Sequence, residues 1–513
     1  MIHFVRPMRA SARVTLALTC TFLALSATAQ AQEEKAKGGT VTVAIETEPN
    51  GFEPLEGRIF GQTGSTVALA IEEPLLRWNY DTSEPVPGLV TEWSVSDDQT
   101  VWTLKLREGV KFHDGADFDA EDVAWHYNRM LNPDNKFAGR SSLDVIEEVK
   151  VVDPLTVEFH LKHPWTAFLP QMADMGMGGM IPSPEQTDKG EQNRHPVGTG
   201  PFRFVEWASG DRIVVERNPD YWDADSINLD RIVFRVLPDT QTRFASLQSG
   251  QVDAIWTDRG TTILDAQNDP NVVSLYADGA GAATILLNSA KPPFDDPNVR
   301  AAVAHGWNQE ALVKISFKDT RPSVTNPLGP QADCGEAGYR AFDQAKSREY
   351  AAAYGKPIEF DMIHTTTSRG RELGELMQQL MKAVGITVNL EPVDQTTLVK
   401  RVLSRDYTMS GWRFPDDVDM GPNLTASGKS DSNYNLTAMN IPELDRIADE
   451  MSSLTDREES LKMQCEMVAL MNQDASILYM GGGRYWAFYS PRLKGVDKPW
   501  AGIIDVTRAW VSE

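Results

Sequence analysis

The stretch Val101-Trp102-Thr103-Leu104-Lys105-Leu106-Arg107-Glu108-Gly109-Val110-Lys111-Phe112-His113-Asp114-Gly115 decides how the chain is read. Its first six residues alternate apolar and polar, as a half-buried strand requires, and Glu108-Gly109 reads as a turn into a second strand at Val110 to His113. Asp119 then precedes Ala120-Glu121-Asp122-Val123-Ala124-Trp125-His126-Tyr127, which has acids in its first turn and apolar residues at helical spacing. Asp119 is thus the expected N-cap of a helix.

Working outward, Thr40-Val41-Thr42-Val43-Ala44-Ile45 alternates as a strand, and hairpins are expected at about 145–161, turning at Asp153-Pro154, and at 202–218, turning at Ser209-Gly210-Asp211. Gly198-Thr199-Gly200-Pro201 reads as a turn whose glycines permit positive φ. A strand at 231–237, a helix from Thr240 to Gly250 and a strand at Ala254-Ile255-Trp256 follow, then an apolar strand at 283–288. Beyond Lys291-Pro292-Pro293 helix and strand alternate: helix 343–354 stopped by Gly355, strand 358–363, helix 369–384 stopped by Gly385, strand 386–390, helix 395–405 and strand 407–412. One region rich in hairpins and one with helices packed on a sheet imply an α/β protein of two lobes.

Composition supports a globular chain of about three packed units: 513 residues, 41% hydrophobic. The 73 acidic and 49 basic side chains give a formal charge of −24, which argues against nucleic acid or an anionic membrane as partner, since both require clustered Lys and Arg. Residues 1–31 read as a cleaved signal peptide, with Arg6, Arg9 and Arg13 ahead of an apolar run at 14–25 and small residues at Ala27, Ala29 and Ala31. Its removal takes three arginines and no acids, leaving about −27. Of three cysteines Cys20 leaves with the leader, and Cys334 and Cys465, exported to an oxidising compartment, are expected to pair.

Enzymatic signatures fail. Gly428-Lys429-Ser430 lacks the upstream glycine of a phosphate-binding loop, and Gly176, Gly178 and Gly179 lack the third glycine of a dinucleotide fingerprint. There is no G-x-S-x-G, H-E-x-x-H or C-x-x-C, and His160 and His163 sit at odd spacing on a predicted strand, facing opposite ways. The reading carries no catalytic residue, no metal and no cofactor.

Longer segments are specific in combination: Pro74-Leu75-Leu76-Arg77-Trp78-Asn79, the Val101–Gly115 stretch, Val197-Gly198-Thr199-Gly200-Pro201-Phe202, Asn218-Pro219-Asp220-Tyr221-Trp222, Ser249-Gly250-Gln251-Val252-Asp253 and Pro292-Pro293-Phe294-Asp295-Asp296-Pro297-Asn298-Val299-Arg300. In this order they resemble the family 5 extracellular solute-binding proteins, the peptide- and nickel-type periplasmic receptors of ATP-binding cassette importers. The resemblance implies the two-lobed periplasmic-binding-protein fold, class II type. Lobe I would comprise 32–76, 195–287 and 487–513, with an inserted subdomain at 77–194, and lobe II 288–486. Two hinge crossings would lie near Asn288 to Pro292 and Gly483 to Trp486, and the ligand in the cleft between the lobes.

Peptide-binding members carry Gly-Trp followed by an acid that receives the ligand's α-ammonium. Here Gly411-Trp412-Arg413-Phe414-Pro415-Asp416-Asp417 is one residue longer, so Asp416 or Asp417 is the candidate anchor. Arg413 faces either a ligand carboxylate or Asp416. Thr365 and Thr366, with Arg369, stand at a strand-to-helix junction suited to an anionic group. The segment with Arg58, Phe60 and Gly61 resembles a cleft-lining loop, and Trp412, Tyr434, Tyr485 and Trp486 supply aromatic contacts. The expected function is capture of a short peptide or other zwitterionic amino-acid derivative such as an opine, or of an oligosaccharide. The expected partners are that solute and the permease's transmembrane subunits, the chain is expected to be a monomer in the periplasm, and a secreted hydrolase is the remote alternative.

Overall fold

Strand Val101–Leu106 lies inside a four-stranded antiparallel sheet, between Val90–Val95 and Thr156–Leu161, with Ile146–Asp153 beyond the latter. Both of its edges are therefore taken, and the expected second strand at Val110 to His113 does not form; Lys111 makes one isolated bridge to Asp117. Val110 and Phe112 instead turn into the core, where they are buried. This computed structural model describes residues 35–55, 62–79, 82, 84–137, 139–176, 178–414 and 419–512. The expected signal peptide lies outside the described residues.

Helix Ala120–Leu131 starts as expected: Asp119 accepts from the Glu121 N–H, and the Asp122 side chain accepts from the Asp119 N–H, closing a reciprocal cap. Val123, Tyr127 and Met130 form its buried stripe. The hairpins at Ile146–Asp153 with Thr156–Leu161 and at Phe202–Ala208 with Arg212–Arg217 also form. Gly198 and Gly200 do not have positive φ. Their role is close approach: a Cβ on Gly198 would lie 2.4 Å from the Ile71 oxygen, and one on Gly200 2.5 Å from the Ile71 carbonyl carbon.

A ten-stranded mixed sheet runs through the molecule in the order Thr387–Val393, Glu359–Thr365, Met409–Phe414, Val273–Leu287, Ile477–Tyr489, Ala254–Trp256, Thr40–Ile45, Arg231–Val236, Arg212–Arg217, Phe202–Ala208. Its middle consists of two long antiparallel strands. Residues 273–279 pair with 483–489, the register shifts between Gly279 and Ala282, and 282–286 then pair with 477–482. Leu275 packs on the core built around Val41, Val43, Ile232 and Phe234, whereas Ala280, Ala282 and Leu286 belong to another, with Ile363, Phe414 and Tyr479. The two strands thus carry the chain twice from one core to the other.

The strand Val273–Leu287 begins ten residues before the apolar run that marks it in the sequence; its first half, Val273 to Gly279, is exposed or half-buried. In the second region the faces separate by residue parity. Ile285 and Leu287 join Met362 and Met409 on one side, and Leu286 joins Ile363 and Phe414 on the other. Helices Gln344–Tyr354 and Ser368–Ala383 form close to their expected bounds, the first ending on Gly355 in the left-handed region at φ 74°. Cys334 and Cys465 form a disulfide with their Cα atoms 5.3 Å apart, tying the loop after Leu328 to helix Arg457–Asp474.

Candidate binding site

Where the two long strands change cores, side chains vanish from one of them. Gly481-Gly482-Gly483 is glycine throughout, for steric reasons: a Cβ on Gly482 would meet Val324 Cγ1 at 2.5 Å, and one on Gly483 would meet the Ala280 oxygen at 2.5 Å. The Gly482 N–H donates to the Pro322 oxygen at 2.9 Å, so the 321–324 segment lies directly on the crossing. That seats the stem of Arg321 against Gly481.

Beside this crossing opens a cavity of about 550 Å³, lined from both sides. Trp256 and Asp258 come from the end of strand Ala254–Trp256; His364 and Thr365 from strand Glu359–Thr365; Arg369, Gly370 and Leu373 from helix Ser368–Ala383; Gln395, Leu398 and Val399 from helix Gln395–Leu403; Gly411 to Phe414 from strand Met409–Phe414. Its size falls in the range of pockets that enclose small solutes.

The walls are cationic within an acidic protein. Arg321, Arg369 and Arg413 line the cavity together with one aspartate, Asp258. Arg369 and Asp258 form an ion pair between the second region and the first. Burial works to raise the Asp258 carboxyl, but Arg369, Arg321 and Arg259 outweigh it and hold the group below the usual carboxylate range. Burial pulls the Arg321 guanidinium down from its ordinary range, opposed by Asp258 and aided by repulsion from Arg369. Arg321 stacks over Phe317 at 5.0 Å and makes no hydrogen bond or ion pair among the described residues.

Strand Met409–Phe414 also offers backbone. One edge pairs with Ala282 to Leu287 along its whole length, whereas the other pairs with Glu359–Thr365 only at Met409 and Ser410. From Gly411 to Phe414 that edge has no partner strand among the described residues, and these four residues line the cavity.

Of the residues singled out in the sequence, Thr365, Arg369, Trp412, Arg413, Tyr434 and Tyr485 are brought together on the cavity wall. Thr366 is exposed and off the wall, its carbonyl accepting from Arg371 at 2.5 Å. Trp486 is buried, its indole donating to the Thr320 oxygen at 2.9 Å and stacked with Phe488, because its position in the long strand points it into a core. Arg58, Phe60, Gly61, Asp416 and Asp417 lie outside the described residues. The Thr367 hydroxyl is the N-cap of helix Ser368–Ala383 and accepts from the Gly370 N–H at 3.1 Å.

Asp258, Arg321, Trp256, His364 and Gln395 were not foreseen. The run Gly481-Gly482-Gly483 was the available signal, since consecutive glycines in a strand mark close backbone approach. Nothing local to Arg321-Pro322 betrays its place.

Comparison with known proteins bears on the same geometry. The profile of the bacterial extracellular solute-binding proteins, family 5, matches residues 84–435. A glutathione-binding protein of Pectobacterium atrosepticum is 27% identical over 448 residues, covering 84% of this chain and 86% of that protein. Heme-binding protein A of Haemophilus influenzae is 27% identical over 490 residues, covering 87% and 88%. In structure, the periplasmic binding protein from Helicobacter pylori in complex with the peptide STSA superposes with a TM-score of 0.80 at 22% identity, covering 94% of this chain and 99% of the other. The fold is therefore the two-lobed one of periplasmic binding proteins.

Proposed function

This chain belongs to the bacterial extracellular solute-binding proteins of family 5, and we propose on that premise that it is a periplasmic receptor that captures a short peptide or peptide-like zwitterion and delivers it to an ATP-binding cassette permease. The names of its relatives span glutathione, heme and peptide, so family membership leaves the solute open and the site must decide.

The observation that carries the peptide reading is the unpaired edge of Gly411 to Phe414 on the cavity wall. An extended peptide laid along it satisfies backbone donors and acceptors that no strand among the described residues occupies. Trp256, Trp412, Tyr434 and Tyr485 supply flat apolar surface for its side chains. The receptor acts without covalent chemistry. Contacts drawn from both sides of the cleft exist together only when it is closed, so a solute shifts the population toward closure.

We place the lobe boundary at the register shift between Gly279 and Ala282 and at Gly481 to Gly483, rather than at Asn288, with the four-stranded sheet as the centre of an inserted subdomain at about 77–194. Asp416 or Asp417 is our candidate for the ammonium.

Calorimetry with di- and tripeptides, their N-acetylated forms and oligosaccharides tests the reading. Stoichiometric binding of free peptides, weakened at least tenfold by N-acetylation and by Asp416→Asn or Asp417→Asn, is the expected result, with the peptides recovered uncleaved. Saturable binding of saccharides without peptides, or peptide turnover, overturns it.

A further inference from the structure

Among the described residues, Arg321 is the cavity arginine that is enclosed with no hydrogen bond or ion pair of its own, the field of Asp258, which already pairs with Arg369, being its nearest offset. Arg369 has Asp258; Arg413 stands exposed at the rim. Arg321 is held between Phe317 and the glycine crossing, its basicity lowered by burial, without a hydrogen-bond or ion-pair partner among the described residues. A guanidinium brought out of water needs an anion with good geometry or its desolvation goes uncompensated. The side chain's planar fork matches a carboxylate bidentately. With three arginines against one aspartate, the described walls keep an excess of positive charge after the Arg369 pair is counted, in a chain whose overall charge is −24.

Resting on the receptor reading above, we propose that the cavity selects solutes with at least two acid groups, one seated on Arg321 and the second on Arg413. A neutral side chain in place of the second acid leaves one of the two arginines without an anion in the closed cleft. Discrimination between a di-acid and its amide isostere is then strong, because the penalty falls on a polar group left unpaired rather than on a contact merely lost. Asp258 sharpens this selection by tying up Arg369, so that Arg321 and Arg413 receive the ligand's charges.

Two isosteric pairs test it by calorimetry on the full mature protein stripped of retained solute: the dipeptides Ala-Glu and Ala-Gln, and the non-peptides glutarate and glutaramide. Wild type is expected to bind at least one acid member ten- to a hundredfold more tightly than its amide partner. Arg321→Gln removes that preference by weakening the acid member more than the amide member, and Arg321→Lys, which keeps the charge without the fork, falls between. Thermal unfolding of both variants checks that they fold. Equal binding of acid and amide members, or an Arg321→Gln variant that keeps the preference, overturns the di-acid assignment while a bound Ala-Gln leaves the peptide reading standing. Binding of glutarate alone leaves the di-acid assignment standing and removes the peptide reading. Binding of none overturns both.

Discussion

Asp258 and Arg369, 111 residues apart in the chain, form an ion pair across the cleft. Asp258 follows the strand Ala254–Trp256 beside the first core, and Arg369 lies in the first turn of helix Ser368–Ala383 on the other. This pair joins the two regions outside the paired crossing strands, so breaking it is expected to loosen the cleft.

Asp258→Asn and Arg369→Gln each remove that clamp. Small-angle scattering of the solute-free protein is expected to show a larger radius of gyration for either variant, and no further increase in the double variant, because both lose the same pair. With Arg369 half exposed, the unfolding midpoint moves little. Scattering curves that coincide with wild type sink the clamp.

Much of this was legible in the sequence because the signals were local. Asp119 with Asp122, the turn at Ser209 to Asp211 and Gly355 each fix an element's end through chemistry within four residues. The failures were relational. Val110 to His113 carries a strand pattern, but whether it finds an edge depends on Val90–Val95 and Thr156–Leu161. Trp486 has the character of a ligand platform, and only strand parity in the long crossing sends it to a core. Arg321 becomes part of the site through glycines 160 residues later.

The disulfide closes a chain separation of 131 residues, for which the chain-entropy relation gives an upper contribution of about 5 kcal/mol. The Cys334→Ser, Cys465→Ser double variant is expected to unfold at markedly lower urea with an unchanged cleft affinity for solute, since neither cysteine lines the cavity. An unshifted midpoint contradicts this.

Gly200→Ala tests the close approach at the 198–201 turn. Its Cβ would press on backbone, the Ile71 carbonyl carbon at 2.5 Å and the Ala70 oxygen at 2.9 Å, so no side-chain rotation relieves it. A loss of about 2 kcal/mol or more in urea unfolding is expected. Were φ the reason for glycine here, Gly200→Asn would be better tolerated than Gly200→Ala; on the steric account Asn is worse.

His126 gives the fold an acid limit. Burial pushes its imidazole down to about 4, helped by Arg129 and opposed by its hydrogen bond with the Gly178 oxygen at 2.6 Å, while Nδ1 finds no partner among the described residues. An unfolded chain takes up this proton near pH 6.5, the folded one only near 4. The unfolded state therefore binds more protons across that window, and His126 removes stability as the pH falls from about 6.5 to about 4, by up to about 1.4 kcal/mol per pH unit. Asp122 and Asp174, raised by burial to about 6, and Glu73, raised by burial to about 7, act with the opposite sign, so the wild-type profile is a composite. The variant isolates the histidine: His126→Gln keeps an amide donor for Gly178 and cannot titrate. Urea unfolding at pH 7 and pH 4.5 is expected to show the variant losing less stability on acidification than wild type, whatever its offset at pH 7. Parallel losses in the two proteins would mean that the imidazole is already charged in the folded state.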